Sequence, residues 1–148
     1  MWQKASALVQ ERIKGHRKGT NRPAYMHSIH VAEALRKQGY SDEVCLAGLL
    51  HDIVEDGGVS LNDLSEMGFS ERIVELVSLC THNGSIKNRD ARWVKMIARL
   101  IDANDAEAWA IKLADIEDNL KDSDSMKPDR AKFLREVKAP LLKSVAKR

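Results

Sequence analysis

The sequence has little of what marks a secreted, membrane-embedded or nucleic-acid-binding protein. Of its 148 residues only two are cysteines, Cys45 and Cys80, and both lie in apolar patterns without zinc-site spacing, so we expect buried thiols. No apolar run approaches the length of a membrane span. Residues 1–14 lack the apolar core of a signal peptide. We therefore expect a cytoplasmic protein that does not bind a membrane.

Charge of one sign is also lacking, because the net charge is only +2. This balance gives no case for nucleic-acid binding. The charges are nevertheless uneven along the chain. Residues 12–22 are rich in Lys and Arg without an acid, whereas residues 115–124 are rich in acids with a single Lys. This distribution would suit an anionic substrate that meets a bound cation.

Strand signals are nearly absent, whereas apolar residues recur at helical spacing throughout the chain. The pattern predicts one all-α domain over residues 1–148. Ser41 and Ser70 are suited to cap two of the helices, and Pro140 should kink or end the last one. The predicted helices cover residues 2–14, 26–38, 42–55, 60–66, 70–81, 88–102, 105–121 and 129–146.

The predicted helix 42–55 contains the stretch "LAGLLHDIVEDGG", in which ionisable residues follow an apolar run. The helix is apolar almost all round, which predicts that it is buried on most sides. His51 and Asp52 lie within this run and should be at least partly buried. A buried carboxylate is costly unless it is paired, protonated or bound to metal. A capped helix end with a satisfied core histidine is the simpler alternative.

Two other helices offer partners for this pair. His27 shares a helix face with apolar residues, and Asp115 lies at the edge of an apolar stripe. Together with His51 and Asp52 they could bind one divalent metal ion, for which Mn²⁺, Fe²⁺ or Zn²⁺ fits the mixed ligands better than Ca²⁺. An octahedral shell would keep two positions for water or substrate, and a metal lowers the pKa of such a water. Adjacent ligands on one helix require local distortion, which a helix end at Gly57-Gly58 would permit.

Glu55 and Asp56 follow four residues after His51 and Asp52 and would face the same opening. They could orient an attacking water or carry a proton to the leaving group. The alternative is an ordinary acidic helix end, although acids there oppose the helix dipole.

In the order His27, His51-Asp52, Asp115, the sequence resembles the HD-domain superfamily of metal-dependent phosphohydrolases. Three longer segments resemble the hydrolase domain of the RelA/SpoT family and its small stand-alone relatives. They are "RKGTNRPAYMHSIHVAEAL", "LAGLLHDIVEDGGVSLNDLSEMGFSERIVELV" and "IKLADIEDN". The resemblance covers roughly residues 12–121, with the predicted C-terminal helix 129–146 beyond it.

The resemblance implies Mn²⁺-dependent hydrolysis of the 3′-pyrophosphate of guanosine tetra- and pentaphosphate, the alarmones of the stringent response. It assigns the metal to His27, His51, Asp52 and Asp115, and catalysis to Glu55 and Asp56. Arg17 and Lys18 would approach substrate phosphates, and Asn119 would line the nucleotide pocket. Arg22 is a further substrate-binding candidate on charge alone. Fe²⁺, Zn²⁺, Mg²⁺ and Co²⁺ are alternative metals.

The sequence departs from the family pattern at several substrate-reading positions. Ala24 interrupts a Pro-Tyr-Ile segment, Ile116 replaces a basic residue, and Asp118 replaces an aromatic residue or histidine. With these changes, the sequence does not identify the nucleotide substrate. The alternatives are another HD phosphohydrolase, such as a nucleotidase or nucleotide phosphatase, and a non-catalytic nucleotide-binding regulatory domain. From the length of 148 residues we expect no synthetase domain and therefore no alarmone synthesis, and the sequence does not indicate an oligomeric state.

Overall fold

The computed structural model describes residues 1–17, 20–82 and 84–146. Within these ranges the chain is helical without a strand, and the only extended pairing is an isolated bridge between His16 and Pro23. This architecture confirms the predicted all-α class. The helices are α1 (Trp2–Arg12), α2 (Tyr25–Lys37), α3 (Asp42–Leu50), α4 (Ile53–Asp56), α5 (Leu61–Glu66), α6 (Glu71–Cys80), α7 (Arg89–Ala103), α8 (Ala106–Lys121), α9 (Pro128–Phe133) and α10 (Ala139–Ala146).

The helix starts follow the capping chemistry of the sequence. The Ser41 hydroxyl accepts a hydrogen bond from the Val44 N–H at the start of α3, and Ser70 caps α6 in the same way, as predicted. Ser60 and Asp63 form a reciprocal capping box at α5. The start of each of these helices is therefore fixed by local side-chain contacts.

Helix α3 forms the centre of the core and packs against α1, α2, α6 and α8. All of its residues from Val44 to Leu50 are buried. Gly48 allows α2 to approach closely, because a Cβ atom at this position would lie 2.5 Å from Leu35 Cδ1. This close approach brings the C-terminal end of α3 beside α2, where His27 lies.

The prediction of one continuous helix over 42–55 is wrong. Helix α3 ends at Leu50, and α4 begins at Ile53 after a turn formed by His51 and Asp52. The His51 N–H reaches back only three residues, to the Gly48 carbonyl, which is the tighter connection typical of a helix end. The distortion required by adjacent ligands thus lies at the ligands themselves rather than at Gly57-Gly58.

The C-terminal segment is not one regular α-helix, and the irregular turn directly precedes Pro140, where a kink or an end was predicted. A π-helical turn, Leu134–Lys138, joins α9 to α10, and Pro140 stands in the first turn of α10. Proline cannot donate a backbone hydrogen bond and crowds the carbonyl four residues earlier, which accounts for the wider turn. Cys45 and Cys80 are free and buried, as predicted. None of the helices in the described ranges combines the length and apolar character that membrane spanning requires.

Candidate metal centre

The structure brings together the four predicted metal ligands, which we call the metal cluster: His27, His51, Asp52 and Asp115. They come from α2, the α3–α4 turn and α8. Asp115 Oδ1 lies 2.7 Å from His27 Nε2 and 3.3 Å from His51 Nε2. Asp52 Oδ2 lies 3.2 Å from His51 Nε2 and 3.7 Å from His27 Nε2. Each of the two carboxylates thus lies within 3.7 Å of both ring nitrogens.

Each imidazole ring has a hydrogen-bond partner at Nδ1, the ring nitrogen that faces away from the metal cluster. His51 Nδ1 lies 2.6 Å from the Gly48 carbonyl oxygen, which can only accept, so this nitrogen carries the proton. His27 Nδ1 lies 2.6 Å from Asp118 Oδ2 in the same arrangement. Neutral His51 therefore directs its Nε2 lone pair into the metal cluster, whereas His27 has a carboxylate at each nitrogen, with Asp115 Oδ1 2.7 Å from its Nε2.

Asp115 is shared between the cluster and the interior of α8. Its Oδ2 accepts a hydrogen bond from the buried Lys112 ammonium at 2.8 Å, which leaves Oδ1 to face the histidines. Burial raises the pKa of Asp115, but Lys112 and His51 outweigh it and hold the pKa well below its usual range. Asp115 is therefore a carboxylate at neutral pH, as a metal ligand must be.

Nearby carboxylates raise the pKa values of the two histidines. Burial alone lowers the pKa of His51, yet Asp52 and Asp115 outweigh burial and raise the pKa well above its ordinary value. The pKa of His27 is raised against burial by its hydrogen bonds to Asp115 and Asp118. These shifts show that the cluster attracts positive charge.

The donor set fits a divalent cation. Ligand atoms of His27, His51 and Asp52 all lie within 4.8 Å of one another. Bonds of about 2.1 Å place opposite ligands about 4.2 Å apart, so one ion between them needs only small adjustments. By ligand chemistry, two imidazoles and two carboxylates favour a first-row transition ion over Ca²⁺.

Glu55 and Asp56, the acidic pair that follows the cluster, differ from each other in their surroundings. Glu55 Oε1 accepts a hydrogen bond from His82 Nδ1 at 2.8 Å and also contacts the His82 backbone N–H. Burial and the nearby charges of Asp52 and Glu55 raise the pKa of Asp56 to about 6. Asp56 is therefore able to exchange a proton near neutral pH.

Of the predicted substrate-binding residues, Arg17, Arg22 and Asn119 lie beside the cluster, and together with Asp122 we call them the rim. Arg17 donates to Asn119 Oδ1 at 2.5 Å and to Asp122 Oδ2 at 3.1 Å. Arg22 also contacts Asp122, which is buried. Asn119 Nδ2 lies 3.3 Å from Asp115 Oδ1 and so joins the rim to the cluster. Lys18 lies outside the described residues.

The sequence interpretation did not identify Asp118, Asp122 and His82 as site residues. The helical period contained a signal for the first two, because Asp115, Asp118, Asn119 and Asp122 follow one another on one face of α8. His82 had no comparable signal, because its contact with Glu55 spans 27 positions. Only the packing of α6 against α3 brings these two residues together.

Comparison with known proteins was made by family, by sequence and by structure. A family model described as HD domain matches residues 5–148. Guanosine-3′,5′-bis(diphosphate) 3′-pyrophosphohydrolase of Aquifex aeolicus is 31% identical over 146 residues, which are 94% of this chain and 20% of that protein. The bifunctional (p)ppGpp synthase/hydrolase SpoT of Escherichia coli is 27% identical over 147 residues, 93% of this chain and 20% of SpoT. The chain thus spans about a fifth of the length of these relatives.

Two solved structures resemble the fold. A metazoan ortholog of SpoT, described as hydrolyzing ppGpp, superposes with a TM-score of 0.84 at 24% identity, covering 98% of this chain and 84% of that one. At this identity the likeness shows the fold alone. The protein lmo0812 of Listeria monocytogenes has a TM-score of 0.61 at 32% identity, covering 71% of this chain and 65% of that one.

Proposed function

The chain belongs to the HD-domain family, and from that premise we propose that it is a metal-dependent phosphohydrolase that acts on a nucleotide. The observation that carries the proposal is the convergence of two Nε2 atoms and two carboxylates in the metal cluster. This donor set, His27, His51, Asp52 and Asp115, would hold one divalent cation. We propose Mn²⁺ as this cation, on the resemblance to the RelA/SpoT hydrolase domain.

The substrate we propose is guanosine 3′,5′-bis(diphosphate), cleaved at its 3′-pyrophosphate. The support comes from the Aquifex aeolicus and Escherichia coli relatives, which match nearly all of this chain and whose names state this activity. The charges of the site agree with an anionic substrate, because Arg17 and Arg22 lie beside the cluster.

When bound, the cation would activate a water for attack and offset charge that builds up on the phosphorus oxygens. The residues of the chain would supply orientation and proton transfer. Glu55, fixed by His82, would orient the nucleophile, and Asp56 has a pKa of about 6 that suits donation of a proton to the leaving group. Arg17 and Asn119 would hold the phosphates and the nucleoside.

The test is pyrophosphate release from guanosine tetraphosphate, measured with Mn²⁺ and with chelator. We expect release that requires metal and disappears in the Asp52→Ala variant, which loses one ligand. Release that persists in Asp52→Ala would refute the assigned site.

The test also separates the alternatives. If the protein binds one Mn²⁺ but leaves guanosine tetraphosphate intact, turnover of another nucleotide would identify a different HD phosphohydrolase. Nucleotide binding without turnover across a panel would identify a regulatory domain. Wild-type protein without Mn²⁺ binding would overturn the proposed function as a whole.

A further inference from the structure

Asp118 contacts two histidines of α2 although the metal cluster does not include it. Its Oδ2 lies 2.6 Å from His27 Nδ1, and its Oδ1 lies 3.2 Å from His30 Nδ1. The Asp118 side chain is 8% exposed and His27 is 3% exposed, whereas His30 is 36% exposed. One nearly buried carboxylate therefore joins a predicted ligand to a histidine at the surface.

The geometry of two helices produces this contact. Asp118 lies three residues after Asp115 on α8, and His30 lies three residues after His27 on α2, so each pair shares a helix face. Helix α8 packs against α2. As a result, Asp115 faces His27 Nε2 while Asp118 faces Nδ1 of the same ring.

We propose that Asp118 is a positioning residue for metal binding: it fixes the proton of His27 on Nδ1 and the plane of the ring, so that Nε2 faces the cation. The inference rests on the proposed function, in which His27 is a ligand. A carboxylate behind a ligating histidine fixes its tautomer and increases its basicity. The sequence resemblance gives Asp118 no such role, because the family pattern has an aromatic residue or histidine there.

The contact with His30 strengthens the assignment. His30 Nδ1 lies 3.2 Å from Asp118 Oδ1, so an ion pair with His30 would hold the carboxylate with its Oδ2 toward His27.

The experiment compares variants of the full chain by calorimetric titration with Mn²⁺. Asp118→Leu keeps the size of the side chain but cannot accept a hydrogen bond from His27 Nδ1. We expect its Mn²⁺ affinity to be about 10–100-fold weaker than that of the wild type. Asp118→Asn keeps an acceptor oxygen and should recover most of that loss. The matched control is Glu117→Gln on the exposed side of α8, where Glu117 pairs with Lys143 at 2.7 Å; its affinity should equal that of the wild type.

A second readout reports on His27 directly. In the Zn²⁺-loaded protein, ¹⁵N NMR of the imidazoles should show His27 with its proton on Nδ1 in the wild type and in Asp118→Asn. In Asp118→Leu we expect a mixture of the two His27 tautomers, or broadened signals from a ring that is held loosely. A merely structural contact between α2 and α8 would lower thermal stability without changing this tautomer.

The outcomes separate this proposal from the proposed function. Wild-type Mn²⁺ affinity in folded Asp118→Leu, or an unchanged His27 tautomer in that variant, overturns the positioning role alone. If Asp118→Leu does not fold, Asp118→Ala takes its place with the same expectations. A wild-type protein that binds neither Mn²⁺ nor Zn²⁺ overturns the proposed function, and the positioning role with it.

Discussion

The metal cluster and the rim are neighbours on α8, yet their charges are arranged in opposite ways. In the cluster, Asp52 and Asp115 point at ring nitrogens that a cation could share with them. In the rim, Arg17 and Arg22 are already occupied by Asp122 of the same chain. The cluster is thus arranged to receive a ligand, whereas the rim must release an internal contact before its arginines can hold phosphate.

The difference indicates that the two regions limit function in different steps. Loss of a cluster side chain removes a metal ligand and leaves the other cluster groups without a charge partner. Such a loss should abolish metal binding. Loss of a rim group should change only how strongly a nucleotide competes with Asp122. The predictions below test this division, from the largest effect to the smallest.

The largest effect should come from Asp115→Ala, because Asp115 Oδ1 faces both histidines of the cluster. We expect the Mn²⁺ affinity to fall by more than about 100-fold, beyond the loss typical of supporting residues. Turnover should be lost while the circular dichroism spectrum stays helical. Glu117→Ala on the exposed side of the same helix serves as the control. Normal Mn²⁺ occupancy in Asp115→Ala would remove Asp115 from the site.

The sequence was sufficient to predict the cluster because His27 and Asp115 lie on amphipathic helices and His51-Asp52 follow an apolar run. His27 and Asp115 each lie at the edge of an apolar stripe, so their inward direction follows from the helical period. The contacts of the rim could not be predicted in this way. Arg17 reaches Asp122 across 105 positions, and only the fold brings the N-terminal loop to the end of α8.

The break between α3 and α4 shows a second limit of the sequence. The run from Val44 to Val54 is apolar and has no glycine or proline at positions 51–52, so the pattern predicts an uninterrupted helix. The observed turn at His51 and Asp52 depends on tertiary packing. It places two adjacent side chains in one site, which a regular helix would direct about 100° apart.

The second prediction concerns Glu55→Gln, which separates metal binding from catalysis. The variant should keep the Mn²⁺ affinity of the wild type, because among the described residues Glu55 pairs with His82 and not with a cluster residue. Its turnover number should fall by about 100-fold or more, the usual contribution of a positioned acid or base. An unchanged turnover number would exclude Glu55 from the reaction.

His82→Ala provides a companion to that variant. If His82 acts through Glu55, the double variant should be no slower than Glu55→Gln alone, since coupled residues are not additive. Additive losses would show instead that His82 has an independent role.

The third prediction tests the rim directly through Asp122→Asn. Removal of this negative charge should free Arg17 and Arg22 for phosphate and lower the KM for guanosine tetraphosphate by about tenfold, or about 1.4 kcal/mol. The turnover number should stay unchanged, and the KM should become more sensitive to salt. The control is Asp124→Asn, because Asp124 is 96% exposed and pairs with Arg135 instead. A higher KM would show that Asp122 holds the arginines in position to bind substrate.

The smallest effect should come from Asp56→Asn, measured as thermal stability in the presence of chelator. Burial, Asp52 and Glu55 raise the pKa of Asp56 from 3.8 to about 6, so between these values the folded state binds more protons than the unfolded state. Stability therefore falls as the pH rises through this window, and the full cost is present above pH 6. Asp56→Asn should raise the Tm at pH 7 only slightly, because Asp56 stays in contact with solvent that screens its charge, and the difference from wild type should vanish near pH 4. The control Asp102→Asn, an exposed acid of α7, should show no such pH dependence. A lower Tm of Asp56→Asn at pH 7 would mean that the Asp56 charge stabilises the fold. Repulsion among the acids beside the cluster would then not destabilise the metal-free protein, and a cation would have no such repulsion to relieve.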